Sequence, residues 1–207
     1  MMDAKDIAKL LLDAKALKFN VAEPFTYVSG IKSPVYMDCR LLISDVAGRR
    51  KIVDGISGLL SCLDCDVVAA TASAAIPWGA WVAEKIGKPL VYVRKSEKDH
   101  GTKKLVEGSI RDGDATVLVE DLVSTGKSSL AAVQSLRDVG AEVVDCVSIF
   151  SYGLSESDIS FKNAGVQLHP LSNFKTALDV AASSGYLLPD EASEALKWQS
   201  DTRGWRK

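Results

Sequence analysis

Two adjacent carboxylates followed by a hydroxyl-rich turn form the strongest chemical signal in this sequence, within VLVEDLVSTGKSS (117–129). The apolar run before Glu120 and Asp121 predicts a buried strand, and a helix is predicted to begin directly after the turn. A helix N-terminus has free N–H groups and a partial positive charge, so it binds phosphate. Gly126 lets a ligand approach the backbone closely. We therefore predict a phosphate site at this turn.

The two ends of this segment favour different ligands. The hydroxyls of Thr125, Ser128 and Ser129 can donate to phosphate, whereas adjacent carboxylates suit sugar hydroxyls or a hard cation such as magnesium. Together they indicate a sugar phosphate. The segment is not a Walker loop, because Asp121 stands where that loop needs a glycine, and no G-x-G-x-x-G occurs in the chain. The alternative without function is a capped helix after a strand whose acids are only solvated.

A second signal is the basic segment RKSEKDHGTKKLVEG (94–108). Its cations and histidine are Arg94, Lys95, Lys98, His100, Lys103 and Lys104. The chain as a whole has a net charge of -2, so this cluster does not reflect its composition. A basic loop can close over a polyanion and neutralise the charge that builds on a leaving group. The competing interpretation is a solvated, charged loop.

The first segment resembles the motif with which type I phosphoribosyltransferases bind phosphoribosyl pyrophosphate (PRPP). The pattern R-K-x-x-K-D-H-G in the second resembles the flexible catalytic loop of the orotate phosphoribosyltransferases. The resemblance implies that the paired acids contact the ribose hydroxyls and that the turn wraps the 5-phosphate. The PRPP-binding residues implied are Arg94, Lys95, Lys98, His100, Glu120, Asp121, Leu122, Val123, Ser124, Thr125, Gly126, Lys127 and Ser128. The catalytic residues implied are Lys98, His100 and Asp121.

A third segment, FTYVSGIKSPVYMDCR (25–40), resembles the orotate side of that family's site. Some members have a lysine where this chain has Val28, and an arginine just after the strand that here runs into Ser151 and Tyr152. Orotate contacts are therefore expected from backbone groups, from Ser124 and from Lys32, with Arg40 as an open alternative. TASAAIPWG (71–79) resembles the family's pyrophosphate loop.

Hydrophobic periodicity predicts helices and strands in alternation along most of the chain. Helices are expected over 3–18, 45–61, 75–86, about 173–184 and about 190–199, and a turn running into a helix over 124–140. Strands are expected over 66–71, 89–94, 116–121 and 142–150, with a short one near 166–168. This order is typical of a doubly wound parallel sheet, which binds ligands at the carboxyl ends of its strands.

We expect an α/β fold with a central parallel sheet flanked by helices, as in type I phosphoribosyltransferases. Residues 1–207 are expected to form a single domain, in which about 1–40 and the C-terminal helices make a small lobe, or hood, over the core. Hydrophobic residues make up 47% of the chain and the pI is about 5.7, so the sequence has no basic footprint for broad nucleic-acid binding. Charged residues interrupt the N-terminal apolar positions, which excludes a signal peptide or membrane span there, and a cytoplasmic protein is expected. The lone pair Cys62 and Cys65 is expected to be reduced.

The resemblance implies transfer of ribose 5-phosphate from PRPP to orotate, giving orotidine 5'-phosphate and pyrophosphate in pyrimidine biosynthesis. It also implies magnesium bound mainly through PRPP and water, and a homodimer with shared active sites. No nucleic-acid or membrane partner is expected. Three alternatives remain at this point: a type I enzyme acting on a purine or uracil, a PRPP-sensing regulator without catalysis, and a phosphate-binding structural domain.

Overall fold

The computed structural model describes residues 2–27, 30–96 and 105–206. In chain order its elements are α1 (Ala4–Asp13), β1 (Leu17–Phe19), β2 (Phe25–Thr26), β3 (Lys32–Ser33), β4 (Val35–Met37), a 3-10 helix (Cys39–Ile43), α2 (Val46–Leu60), β5 (Val67–Thr71), α3 (Ile76–Ile86), β6 (Leu90–Val93), β7 (Val106–Glu107), β8 (Ala115–Val123), α4 (Lys127–Arg137), β9 (Glu142–Ser151), α5 (Ser155–Asn163), β10 (Gln167–Asn173), α6 (Phe174–Ser183) and α7 (Pro189–Ser200).

A six-stranded sheet forms the centre of the molecule, with strand order β10-β9-β8-β5-β6-β7. Neighbouring strands are parallel except for β7, which runs antiparallel to β6 at the edge. The inner strands are buried on both faces, which explains why β5 reads as VVAAT and β8 begins as ATVLV without polar alternation. The predicted central parallel sheet flanked by helices is thus confirmed.

Two apolar clusters lie on the two faces of this sheet. The larger contains the fully buried Trp78, Phe150 and Phe174 and packs α1, α2, α3 and α6. The smaller contains Leu118 and Leu136 and packs α4. Successive residues of a strand point to opposite faces, so Glu120 shares the smaller cluster's face with Leu118.

The N-terminal segments and the C-terminal helices contact one another at one end of the larger cluster. Helix α1 packs on α6. The Trp198 indole N–H donates to the carbonyl of Lys32 at 3.1 Å, and the Ser172 hydroxyl donates to the carbonyl of Ala4 at 2.7 Å. These contacts join the N-terminal segments to β10 and α7, while a separate hood made from both ends of the chain stays a prediction.

Three elements differ from the prediction. Helix α1 ends at Asp13 because Lys15 adopts a positive φ of 55°, and Leu17 then begins β1 instead of continuing the apolar face of the helix. Helix α5 was not predicted, since only Ser157 and Phe161 are buried in it and its amphipathic pattern is weak. Strand β10 is seven residues long, where only a short strand near 166–168 was expected.

All four cysteines are free thiols, as expected for the Cys62 and Cys65 pair. No helix among the described residues is both long and apolar enough to cross a membrane.

Candidate active site

The candidate site lies where the sheet reverses its winding direction. From β5 the chain continues to β6 and β7 on one side, then returns to place β8 on the other side of β5. The connections that leave β5 and β8 therefore diverge, and a crevice opens at the carboxyl ends of these two strands. A cleft of about 510 Å³ occupies this position. It is lined by Met37, Asp38, Arg40, Thr71, Ala72, Ser73, Ala74, Val93, Arg94, Lys95, Leu105, Glu120, Asp121, Leu122, Ser128, Ala131, Ala132 and Ser135.

Glu120 forms part of the floor of the cleft, and its side chain is held from two sides. The residue is only 4% exposed. Its Oε2 accepts a hydrogen bond from Thr71 Oγ1 at 2.5 Å, and its Oε1 accepts one from Ser129 Oγ at 2.9 Å. Burial raises the pKa of this carboxyl from 4.5 to about 7, although the two hydroxyl donors act in the opposite direction.

Asp121 is half-buried in the same cleft. Burial raises the pKa of its carboxyl, while the charge of nearby Arg40 lowers it. The thiol of Cys39 donates to the Asp121 carbonyl at 3.3 Å, which ties this part of β8 to the 3-10 helix. The paired acids thus both face the cleft, but they differ in environment because one is covered by hydroxyls and the other is more open.

The turn after β8 leads into a helix N-terminus without a side-chain cap. Gly126 occupies the N-cap position with φ 82°, and among the described residues no side chain caps the first N–H groups of α4. A Cβ at this glycine would lie 2.7 Å from Phe161 Cε2, so no other residue fits without displacing that ring. The uncapped N–H groups and the positive end of the helix dipole make this turn suitable for a phosphate.

The hydroxyls around this turn point in different directions. Ser128 is exposed and lines the cleft, whereas Ser129 is fully buried and donates to Glu120. Ser124 is exposed and Thr125 is half-buried, but neither lines the cleft. Lys127 is exposed and its Nζ lies 3.5 Å from Glu156 Oε1. Ser129 therefore supports an acid, where the sequence pattern had placed it among the phosphate donors.

The loop between β5 and α3 forms a second wall. Ala72, Ser73 and Ala74 line the cleft, and the peptide bond between Ala72 and Ser73 is cis. Helix α3 that follows also lacks a side-chain cap at its N-terminus. Small side chains here leave backbone groups accessible, as the predicted pyrophosphate loop requires.

Two of the predicted basic residues lie at the cleft. Arg94 and Lys95 line it directly after β6, and Arg94 Nη1 is 3.7 Å from Glu107 Oε1. Lys98 and His100 lie outside the described residues, so their predicted roles stay predictions. The same holds for Lys103 and Lys104, which carry no assigned role.

Arg40, the alternative orotate contact, lines the cleft together with Asp38. Arg40 donates through Nε and Nη2 to the two carboxylate oxygens of Asp38, at 2.7 and 2.8 Å. Lys32, the predicted orotate contact, lies on β3 with an exposed side chain and does not line the cleft. Tyr152 is buried and its hydroxyl lies 3.2 Å from that of Tyr27.

Comparison with known proteins agrees with this geometry. A family model of the phosphoribosyl transferase domain matches residues 50–181, which span α2 to α6. The chain is 44% identical to the orotate phosphoribosyltransferase of Coxiella burnetii, over 100% of both chains. This chain belongs to the orotate phosphoribosyltransferase family. It is also 40% identical to the orotate phosphoribosyltransferase of Staphylococcus saprophyticus, over 96% of this chain and 98% of that one.

A solved structure shows the same fold. The orotate phosphoribosyltransferase of Aeropyrum pernix superposes with a TM-score of 0.75 at 29% identity, over 87% of this chain and 99% of that one. At 87% of the chain, this match covers more residues than the family model, so it extends outside residues 50–181.

Proposed function

We propose that this chain transfers the ribose 5-phosphate group of PRPP to orotate, giving orotidine 5'-phosphate and pyrophosphate. One observation carries the proposal: the paired acids Glu120 and Asp121, the uncapped N-terminus of α4 and the loop 72–74 meet at a single cleft. Each of these parts suits a different portion of PRPP. Membership of the orotate phosphoribosyltransferase family supports orotate as the acceptor.

The charged ends of PRPP are assigned by the chemistry of each wall. The turn from Leu122 to Ser128, with the α4 N-terminus, binds the 5-phosphate through N–H and hydroxyl donors. Asp121 accepts from the ribose hydroxyls, and Glu120 supports it from the cleft floor. The pyrophosphate lies between the loop 72–74 and the cations Arg94 and Lys95.

The chemical step replaces the bond between ribose C1 and pyrophosphate with a bond to a ring nitrogen of orotate, and the proton that this nitrogen loses is released to solvent. Such transfers pass through an oxocarbenium-like state, in which the ribose carbon carries positive charge. Carboxylates near the ribose stabilise that charge, and cations near the pyrophosphate stabilise the leaving group. We assign Asp121 to the first role and Lys98 to the second, with Lys98 or His100 donating a proton to the departing pyrophosphate.

Orotate binds on the hood side in this proposal, with Ser124 and Lys32 as contacts. The buried Tyr152 and the half-buried Tyr27 lie next to the positions where some family members have basic residues, so the carboxylate of orotate needs another cation. Lys32 and Arg40 are the two candidates for that cation.

Magnesium suits this cleft because carboxylate oxygens are the ligands it prefers. Both oxygens of Glu120 already accept hydroxyl hydrogens, and both carboxylate oxygens of Asp38 accept from Arg40, so neither of these acids is proposed as a direct ligand. Magnesium would be held mainly by PRPP oxygens and water, and it would neutralise charge on the pyrophosphate.

The remaining assignments follow from family membership. We propose that residues 1–207 form a single domain and that the enzyme is cytoplasmic. We also propose a homodimer in which the basic loop acts in the neighbouring subunit's site. Small molecules, and neither nucleic acid nor membranes, are its proposed ligands.

A base-selectivity assay tests the proposal. Purified protein is mixed with PRPP and magnesium, and pyrophosphate release is measured separately with orotate, uracil, hypoxanthine and xanthine. We expect release with orotate alone, together with formation of orotidine 5'-phosphate. Release with a purine and none with orotate would assign the chain to another type I activity.

A further inference from the structure

One buried carboxyl connects three walls of the cleft. Glu120 on β8 accepts from Thr71 at the end of β5 and from Ser129 in the first turn of α4. Among the ion pairs of the described residues none includes Glu120, so hydroxyl groups alone hold its side chain from other elements. The carboxyl is thus fixed by two donors that are far from each other in sequence.

The two donors adjoin residues that line the cleft. Thr71 directly precedes Ala72, which begins the loop we assign to the pyrophosphate. Ser129 directly follows Ser128, in the turn we assign to the 5-phosphate. Asp121, assigned to the ribose, is the next residue after Glu120. The Glu120 carboxyl is therefore linked to all three segments that would hold PRPP, because its two hydroxyl partners and its own backbone each adjoin one of them.

We propose that Thr71 and Ser129 are positioning residues, which hold Glu120 as an anchor that sets the spacing between the pyrophosphate, ribose and 5-phosphate segments. This inference rests on the proposed function, because it assigns those segments to PRPP. A rigid spacing matters because one ligand must bind all three segments at once, and small misplacements weaken both binding and reaction.

The side-chain types at these positions fit an anchor. Each hydroxyl supplies one donor to one oxygen of the carboxyl, and neither brings a charge that would compete with the ligand. Ser148 provides an internal comparison, since it lies directly opposite Glu120 on β9 and is fully buried. Its hydroxyl makes no hydrogen bond among the described residues, so it belongs to the same environment without holding the anchor.

Four variants separate the anchor from general packing. Thr71→Val and Ser129→Ala each remove one donor with little change in shape, and Ser148→Ala is the matched control. We expect the first two to raise the KM for PRPP by about tenfold or more, as expected for loss of a hydrogen bond to a charged group. Thr71→Ser keeps the donor and should restore most of the wild-type KM, while Ser148→Ala should leave it unchanged.

The pH profile of kcat/KM for PRPP gives a readout that a packing defect would not change. Both hydroxyls lower the pKa of Glu120, so removing either one raises it. The acidic limb should then move to higher pH in Thr71→Val and Ser129→Ala. Asp121 on β8 also acts on Glu120, but it is present in every variant, as is the neighbouring thiol of Cys146 on β9.

Equal kinetics and equal pH profiles for Thr71→Val, Ser129→Ala and Ser148→Ala would overturn the proposal. Ser129→Ala keeps a good helix former in α4, so it remains informative if Thr71→Val does not fold. Direct calorimetric binding of PRPP with magnesium is measured for every variant. If wild-type protein binds PRPP but does not consume orotate, the proposed function fails while the binding data still decide the role of the anchor.

Discussion

Replacement of Glu120 by glutamine should make the stability of this protein less sensitive to pH. The buried carboxyl has a folded-state pKa of about 7 against an ordinary value of 4.5. A difference of this size corresponds to about 3 kcal/mol of unfolding free energy. Because the pKa is raised, the folded state binds the proton more tightly, and this contribution is lost as pH rises from 4.5 to 7.

The assay is urea unfolding of wild type and Glu120→Gln at pH 5 and pH 8. The neutral amide has no such titration, so the wild type should lose about 2.5 kcal/mol more than the variant between these two pH values. Taking the difference between the two proteins cancels the titration of the shared groups that do not interact with Glu120. A difference that does not change with pH would refute the reasoning, because it would mean that Glu120 ionises normally in the fold.

Three further experiments with substituted proteins test the cleft. Gly126→Ala should destabilise the protein by about 2 kcal/mol or more in urea unfolding, because alanine disfavours the positive φ and its Cβ clashes with Phe161, and it should raise the KM for PRPP. Adding Phe161→Leu replaces the ring with a smaller side chain and should restore part of the lost unfolding free energy. If the double variant is no more stable than Gly126→Ala, the clash is excluded. Lys98→Ala should lower kcat far more than it weakens PRPP binding, and an unchanged kcat would remove Lys98 from the chemistry. The KM for orotate at saturating PRPP, measured in Arg40→Gln and in Lys32→Gln, identifies the residue that contacts the orotate carboxylate. The proposed contact from Lys32 is wrong if only Arg40→Gln raises this KM.

Local patterns predicted the sheet and the turn that leads into α4 well, while phosphate binding at that turn stays a prediction. Strands β5, β8 and β9 are short apolar runs bounded by polar residues, and such runs are readable because both of their faces are buried. The start of α4 after Gly126 was also readable, since glycine and hydroxyl residues directly before a helix constrain the backbone locally.

Contacts between distant residues could not be predicted from the same patterns. Thr71 and Glu120 are 49 positions apart, and only the pairing of β5 with β8 brings them together. The inward orientation of Ser129 depends on which face of α4 is buried, whereas the sequence showed only a cluster of hydroxyls. The sequence offered both Lys32 and Arg40 as orotate contacts and could not choose between them, because the packing of the 3-10 helix beside β8, which places Arg40 at the cleft, is a tertiary contact.

The measurement that tests the account most directly is orotate consumption by wild type and Asp121→Asn. Asparagine keeps the shape of this half-buried side chain but removes its charge, so the variant should fold like wild type in circular dichroism. Wild type should convert orotate and PRPP to orotidine 5'-phosphate with equal release of pyrophosphate, and the variant should lose about a hundredfold in kcat/KM, a loss typical of removing one electrostatic contact to the reacting centre. Equal activity of the two proteins would contradict the placement of the reaction in this cleft.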